Sequence, residues 1–303
     1  MKKSLLLIVT AVLAMTACTK DVAEMDGGAN ALGGEINVSA AIDENTRTSM
    51  TANGDNLDIA WVAGDGIGMF ASDANGALAA NLKYVAESNA ANSKLNADGE
   101  SIQWGTGTHQ FYAYYPYTTA TDATAVPISV PAVQEQSEAG NLDHLQPYAF
   151  LYAQKSSAQA ASVQLSFQNA LSVLEVNLCS EVGTINCDAI IFRADDANEV
   201  LSTEGATIDL TTGAINTASA TNSNEIKIEL ASPAVLDATT PQSFYMMVTP
   251  GHAGKRFSIY AVVNGEEVLL GNKGIPAAGV LFLHYKYVAF FKTRNNHLKY
   301  PFL

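Results

Sequence analysis

Residues 35–43 alternate between polar and apolar side chains, and this is the first clear pattern in the chain. The apolar positions of the segment are Ile36, Val38, Ala40 and Ile42. Because successive side chains of a β-strand point to opposite faces of a sheet, this period of two predicts a strand with one buried face. Such a strand is suited to completing the edge of a β-sandwich.

Short segments of the same kind recur along the rest of the chain. In its second half they lie at 162–177, 188–193, 207–210, 225–230, 244–249, 256–263 and 267–270. Turn signals such as Thr249-Pro250-Gly251 and Asn264-Gly265 separate them. Many short strands at regular spacing, with almost no helical periodicity, predict an all-β protein built of β-sandwiches.

The first residues have the parts of a lipoprotein signal peptide, which we assign to 1–17. Lys2 and Lys3 supply a positive region, and residues 5–15 form an apolar run too short to span a membrane as a stable helix. The sequence that ends at Cys18, Met-Thr-Ala-Cys, resembles a lipobox, in which the cysteine is acylated and becomes the mature N-terminus. Several acyl chains on one cysteine give stable anchoring.

We therefore expect an outer-membrane lipoprotein at the cell surface, joined to its anchor by a flexible tether at 18–34. The tether has no periodicity and is rich in Gly, Ala and Asn. The alternative is an ordinary signal peptide followed by an incidental cysteine.

Charge and motif content exclude several classes of function. The chain has 303 residues with 16 basic and 30 acidic side chains, a net charge of −14. This argues against nucleic acid as a partner, since nucleic-acid binding needs a basic surface. The five histidines are scattered without metal-ligand spacing, and no nucleophile or phosphate-loop motif occurs. The sequence predicts a protein that is not an enzyme and uses no cofactor or metal.

Cys179 and Cys187 remain once Cys18 is set aside for lipidation. An oxidising compartment permits a disulfide between them, and a hairpin across 180–186 would place them opposite one another. The alternative is two half-buried thiols, each serving as a small hydrophobic side chain. Both interpretations stay open from the sequence.

A series of short motifs between positions 46 and 279 resembles one family in its content and order. The motifs are Thr46-Arg47-Thr48, Ile59-Ala60-Trp61, the glycine-containing stretch 63–70, the aromatic run 111–117, Gln146-Pro147 with 150–153, 163–167, 170–172 and 274–279. This series is similar to the fimbrillin-like lipoproteins, which are pilus subunits, anchors and tip adhesins of some Gram-negative anaerobes. The resemblance implies two tandem transthyretin-like β-sandwich domains, which we place at 35–158 and 159–303.

The resemblance also implies how such a protein works. Subunits of the family polymerise by donating a strand into a groove on a neighbour. In pilus-forming members, a trypsin-like protease cleaves after the arginine that corresponds to Arg47, which would make Thr48 the first residue. Cleavage there would remove the lipid tether together with the candidate capping strand of Ile36, Val38, Ala40 and Ile42. The alternative is that Arg47 is an ordinary surface residue between two strands.

Residues 281–303 depart from the family's pattern. This tail contains four bases and no acid, whereas the preceding 280 residues hold 12 basic and 30 acidic side chains. Seven aromatic residues also lie in it. One interpretation is an aromatic closing strand, and the other is that the natural reading frame was lost near Val280.

These observations together predict a lipid-anchored structural or adhesive component of surface pili that assembles by donor-strand insertion. Its expected partners are other fimbrillin-like subunits, the outer membrane through the lipid anchor, and ligands on host or bacterial surfaces. The alternative function is a surface lipoprotein that binds glycan without polymerising.

Overall fold

The computed structural model describes residues 33–42, 51–53, 56–58, 60–180, 183–274 and 285–289. Over these residues the chain is almost entirely β-strand, and the one helix among them is a 3-10 helix at Asp143–Tyr148. The all-β prediction is confirmed.

Twenty-one strands lie in the described residues. In chain order they are β1 (Val38–Ile42), β2 (Thr51–Asn53), β3 (Asn56–Asp58), β4 (Gly66–Asp73), β5 (Gly76–Ala86), β6 (Asn92–Ala97), β7 (His109–Tyr115), β8 (Val126–Val130), β9 (Val133–Gln136), β10 (Leu151–Ser157), β11 (Val163–Asn169), β12 (Ser172–Leu178), β13 (Ile185–Ala194), β14 (Ser202–Asp209), β15 (Ala214–Asn216), β16 (Thr221–Ser223), β17 (Glu225–Leu236), β18 (Gln242–Val248), β19 (Arg256–Val263), β20 (Glu266–Gly274) and β21 (Tyr285–Ala289).

Seven strands close into a barrel in the order β1-β11-β10-β7-β4-β5-β6. Each of them has a hydrogen-bonded neighbour on both sides, because the ring returns from β6 to β1. Large aromatic side chains fill the interior, among them Trp61, Trp104 and Phe167, each at most 2% exposed. Trp61 meets Phe167 edge to face with ring centroids 5.0 Å apart, a geometry that aromatic pairs favour.

Most of the remaining strands contribute to a second hydrophobic core, while β2 and β3 form a separate two-stranded sheet. One sheet has the strand order β18-β12-β21, and another has the order β20-β19-β13-β17-β9. β14 pairs with β15, β16 and β8. Phe192 and Phe257 stack in this core with centroids 4.6 Å apart.

β9 joins two of these sheets. Its backbone runs parallel to β17, while the buried side chains of Gln134 and Gln136 reach the edge of β18. The Gln134 amide accepts from Met247 N at 2.8 Å and donates to Met247 O at 2.7 Å. The Gln136 oxygen accepts from Tyr245 N at 3.1 Å. The two amides thus pair with backbone groups as a neighbouring strand would, and they close this edge of β18.

The two cores draw on interleaved segments of the chain, and the predicted domain boundary between 158 and 159 stays a prediction. β11 completes the barrel, because it is the parallel partner of β1. Residues of 126–145, in contrast, pack in the second core, where β8 pairs with β14. The chain therefore passes from the barrel to the second unit at β8 and β9, returns to the barrel at β10 and β11, and continues in the second unit from β12. Since the first unit is a closed barrel, the predicted pair of transthyretin-like sandwiches is not confirmed.

Part of the unusual tail is a strand of the second unit. β21 runs parallel to β12 and pairs with it over five residues. The rest of the tail, 281–284 and 290–303, lies outside the described residues.

Candidate functional site: the first strand of the barrel

The predicted strand near the N-terminus forms as β1, and it is bonded along both edges. It runs antiparallel to β6, with Ser39 opposite Lys94, and parallel to β11, with Ile42 opposite Phe167. Ile42 N also donates to Ala91 O at 2.9 Å. β1 is therefore a strand within the barrel wall and has a neighbour on each side.

The residues before β1 extend this attachment. Gly33 N donates to Trp104 O and Trp104 N donates to Gly34 O, both at 2.8 Å. Ile36 N donates to Ile102 O at 3.0 Å. The whole segment 33–42 is thus held along the barrel by regularly spaced main-chain hydrogen bonds.

The predicted buried face of β1 is buried. Its residues are exposed by 2% (Ile36), 2% (Val38), 0% (Ala40) and 7% (Ile42). Burial of each of the three larger side chains stabilises the fold by roughly 1.5–3 kcal/mol. Removing the strand would therefore expose an apolar groove between β6 and β11 together with the unpaired backbone groups of both strands.

Three of the predicted site residues lie outside the described residues. Arg47 and Thr48 fall between the end of β1 at Ile42 and the start of β2 at Thr51, and Cys18 precedes the first described residue. Lipidation of Cys18 and cleavage after Arg47 stay predictions.

Cys179 and Cys187 are both buried thiols in the structure. The hairpin that was expected to join them does not form, because β12 and β13 belong to different sheets. Burial raises the pKa of the Cys187 thiol to about 12. Both side chains are buried, as expected for cysteines that pack as small hydrophobic residues, and a disulfide between them stays a prediction.

One polar cluster was missed in the sequence, since its members are far apart in the chain. His252 Nδ1 lies 2.7 Å from Glu199 Oε1, and His252 Nε2 lies 3.2 Å from Thr249 Oγ1. The order hydroxyl, imidazole, carboxylate resembles a catalytic triad. However, the Thr249 hydroxyl donates to Val200 O, so its oxygen faces the ring as an acceptor. His252 cannot then take the hydroxyl proton, and the cluster does not form an activated nucleophile.

The same cluster lines a cavity of about 380 Å³. Its walls combine Glu199, Thr249 and His252 with the apolar side chains of Ile215 and Pro250. On the outer side, Lys255 Nζ lies 2.6 Å from Glu199 Oε2. The cavity is an open recess with both polar and apolar walls.

The described part of the chain contains no group of three or more His, Cys, Asp or Glu side chains placed to hold a metal ion. Within those same ranges, no helix is long and apolar enough to cross a membrane.

The fold and the site define an all-β protein with an amphipathic strand in the barrel wall close to its N-terminus. Residues 46–274 match the model of the fimbrillin-like family, and the chain belongs to this family. The resemblance found in the motifs is therefore confirmed. Among curated proteins, no sequence matches the chain.

Three solved structures from Bacteroides are among those to which the chain is similar. A candidate cell adhesion protein from Bacteroides ovatus has a TM-score of 0.54 at 19% identity, covering 80% of this chain and 88% of its own. A fimbrial protein from Bacteroides ovatus has a TM-score of 0.40 at 14% identity, covering 88% of this chain and 51% of its own. A candidate adhesin from Bacteroides thetaiotaomicron has a TM-score of 0.37 at 9% identity, covering 80% of each chain.

Proposed function

We propose that the chain is a lipid-anchored subunit of surface fimbriae in which β1 holds the place of a strand from a neighbouring subunit. One observation carries the proposal: β1 is a short amphipathic strand with three apolar residues in the barrel core and a partner strand on each edge, and Ile36 just before it is buried as well. It lies at the start of the described chain, so that a single cut after it would separate it from the rest.

The energetics of such a replacement follow from the geometry of β1. A groove between β6 and β11 would offer two rows of backbone donors and acceptors and a line of apolar pockets. An incoming strand gains affinity from the main-chain hydrogen bonds and gains register from alternate side chains in the pockets. The pocket of Ala40 accepts only a small side chain without strain, and this makes the groove selective.

Cleavage after Arg47 is the step that would free this groove. The segment 43–50 is polar and joins β1 to β2, and proteases cut such connections more readily than paired strands. After the cut, β1 is held only by non-covalent contacts and can be exchanged. An uncleaved chain keeps β1 in place and stays on its membrane anchor, as suits a basal anchor subunit.

The lipid anchor is the second part of the proposal. Acylated Cys18 would fix the chain to the outer membrane, with 18–34 as its tether at the cell surface. The expected partners are other fimbrillin-like subunits and, for an adhesive role, ligands on host or bacterial surfaces. Membership of the fimbrillin-like family supports this assignment.

N-terminal sequencing of protein sheared from cells tests the processing step. We expect chains that begin at Thr48. If every chain instead begins at acylated Cys18, the strand-replacement role is wrong for this protein, and a permanent anchor or a non-polymerising lipoprotein is left.

One observation favours the second candidate, a surface lipoprotein that binds glycan without polymerising. The cavity beside Glu199 and His252 has polar groups and apolar walls, a combination that suits a sugar ring. Retention of the monomeric protein on a polysaccharide column, lost in a Glu199→Gln variant, would support this function. A monomer that passes through the polysaccharide column without being retained argues against glycan binding.

A further inference from the structure

The sheet formed by β18 and β12 has two outer edges, of which one is covered by side chains and the other by a strand. The outer edge of β18 is closed by side chains, since Gln134 and Gln136 bind its backbone groups. His144 adds a bond from its Nε2 to Tyr245 O at 2.9 Å. Among the described strands, only β12 carries another strand at the outer edge of this sheet, and that strand is β21 of the basic tail.

β12 carries an unusual pair of buried polar residues. Glu175 is 7% exposed and Asn177 is 3% exposed, and both lie on the same face of the strand. Ser243 Oγ lies 3.0 Å from Glu175 Oε1 and 2.6 Å from Asn177 Oδ1, and its single proton serves one of these acceptors at a time. Tyr245 adds a hydroxyl bond to Glu175 Oε1 at 3.4 Å.

These contacts leave two groups on this face incompletely satisfied within the described residues. The ion pairs found there do not include Glu175, whose partners are neutral hydroxyls. Asn177 Nδ2 is buried and has no hydrogen-bond acceptor among them. A cation beside a buried carboxyl group favours its ionised form and pairs with it. The edge of β12 is therefore suited to a strand that brings a cation.

The register of β21 supplies such a strand. The backbone pairing sets Lys286 opposite Glu175 and Val288 opposite Asn177. A shift of β21 by one residue would set a tyrosine opposite Glu175 instead, because side chains alternate between faces. The tail as a whole has four bases and no acid, and the rest of the chain is strongly acidic.

We propose that the outer edge of β12 is a docking site for the basic tail strand, and that Glu175 selects this strand and its register through the charge of Lys286. Glu175 is then a specificity-determining residue, and the docked tail is sensitive to salt. This inference does not depend on fimbrial assembly, because it concerns the tail and the edge of β12 in one chain.

Limited trypsin digestion of the full chain tests the proposal, since the tail carries its own cleavage sites at Lys286, Lys292, Arg294 and Lys299. We expect Glu175→Gln to raise the rate of cleavage at Lys292 and Arg294 roughly tenfold, the equivalent of one charge-assisted hydrogen bond. Gln keeps an acceptor for Ser243 and Tyr245, so the fold is preserved. Glu204→Gln, at an exposed position of β14, is the matched control and should leave the rate unchanged.

Lys286→Gln provides the second arm of a double-mutant cycle. We expect the same increase at Lys292 and Arg294, and no further increase when both substitutions are combined. Higher salt should speed cleavage in the wild-type chain and have little effect in the double variant. An unchanged rate in Glu175→Gln, or two increases that multiply in the double variant, would overturn the proposal. A thermal melt of each variant identifies any that fail to fold, and the Lys286→Gln and salt measurements then decide the result.

Discussion

Glu199 is a largely buried carboxylate of the second unit, and it has Lys255 and His252 as partners. Its carboxylate accepts from His252 and lies 2.6 Å from Lys255 Nζ. Burial alone raises the pKa of Glu199, but the bonds from Lys255 and His252 outweigh it and hold the pKa below its ordinary value of 4.5. A lowered pKa in the folded state means that the ionised carboxylate stabilises the fold above about pH 4.5. That stabilisation is lost as the pH falls through the lowered pKa.

We expect Glu199→Gln to reduce the free energy of unfolding at neutral pH by roughly 1–3 kcal/mol, since Lys255 loses its opposite charge and one of the two acceptor oxygens becomes an amide donor. The difference from the wild type should shrink as the pH falls below 4.5. Urea unfolding at a series of pH values measures it, with Glu204→Gln as an exposed control. A difference that stays constant down to acidic pH would show that the charge of Glu199 contributes nothing.

At the scale of elements, β1 contains two consecutive alanines whose side chains lie on opposite faces of the strand. Ala40 is fully buried in the barrel, whereas Ala41 lies on the outer face and is partly exposed. We expect Ala40→Leu to lower stability by roughly 1–3 kcal/mol, because the close-packed interior has no room for three more carbons. Ala41→Leu should change it by less than about 0.5 kcal/mol. Chemical denaturation of both variants measures the contrast, and equal effects would show that β1 is not seated in the barrel core.

The sequence predicted β1 because its information is local. Alternation over 35–43 is enough to specify a strand and its buried face, and Val38, Ala40 and Ile42 follow it in the structure. The parallel partner of β1 could not be predicted in the same way. Val38 pairs with Val163, and nothing in either segment marks a partner so far along the chain.

Side-chain contacts between elements that are distant in the chain could not be predicted from the sequence either. Gln134 and Gln136 lie in a polar stretch that reads as a surface excursion, yet both are buried against the backbone of β18. The Glu199–His252 pair joins residues 53 positions apart. The expected hairpin between Cys179 and Cys187 does not form for a related reason: β12, which ends just before Cys179, and β13, which contains Cys187, pair with other strands in separate sheets.

At the scale of the whole molecule, the proposed function places the lipid anchor and the assembling barrel in separate parts of one chain. The Met-Thr-Ala-Cys sequence precedes the barrel by a non-periodic tether. We expect Cys18→Ala to move the protein out of the membrane fraction or to block its maturation, because the acyl chains are its attachment. Cell fractionation and immunoblotting measure this outcome. A variant that still partitions fully with membranes would show that Cys18 is not the anchor.

The central claim is that β1 must leave the barrel before subunits join, and a reversible lock tests it most directly. Ser39 of β1 lies directly opposite Lys94 of β6, and both face away from the core. Opposed residues of neighbouring strands have Cα atoms about 4.5–5.5 Å apart, within the range that a disulfide spans. The double substitution Ser39→Cys and Lys94→Cys would therefore fasten β1 to the barrel when oxidised. The native thiols Cys179 and Cys187 are buried and should not interfere.

The measurement is polymer formation by purified protein after cleavage with an arginine-specific protease, followed by electron microscopy. We expect the oxidised double variant to stay monomeric and to polymerise once a reductant opens the disulfide, while Lys94→Cys alone polymerises under both conditions. Polymers that form equally well from the oxidised double variant would contradict the account, because β1 would then have stayed in the barrel throughout.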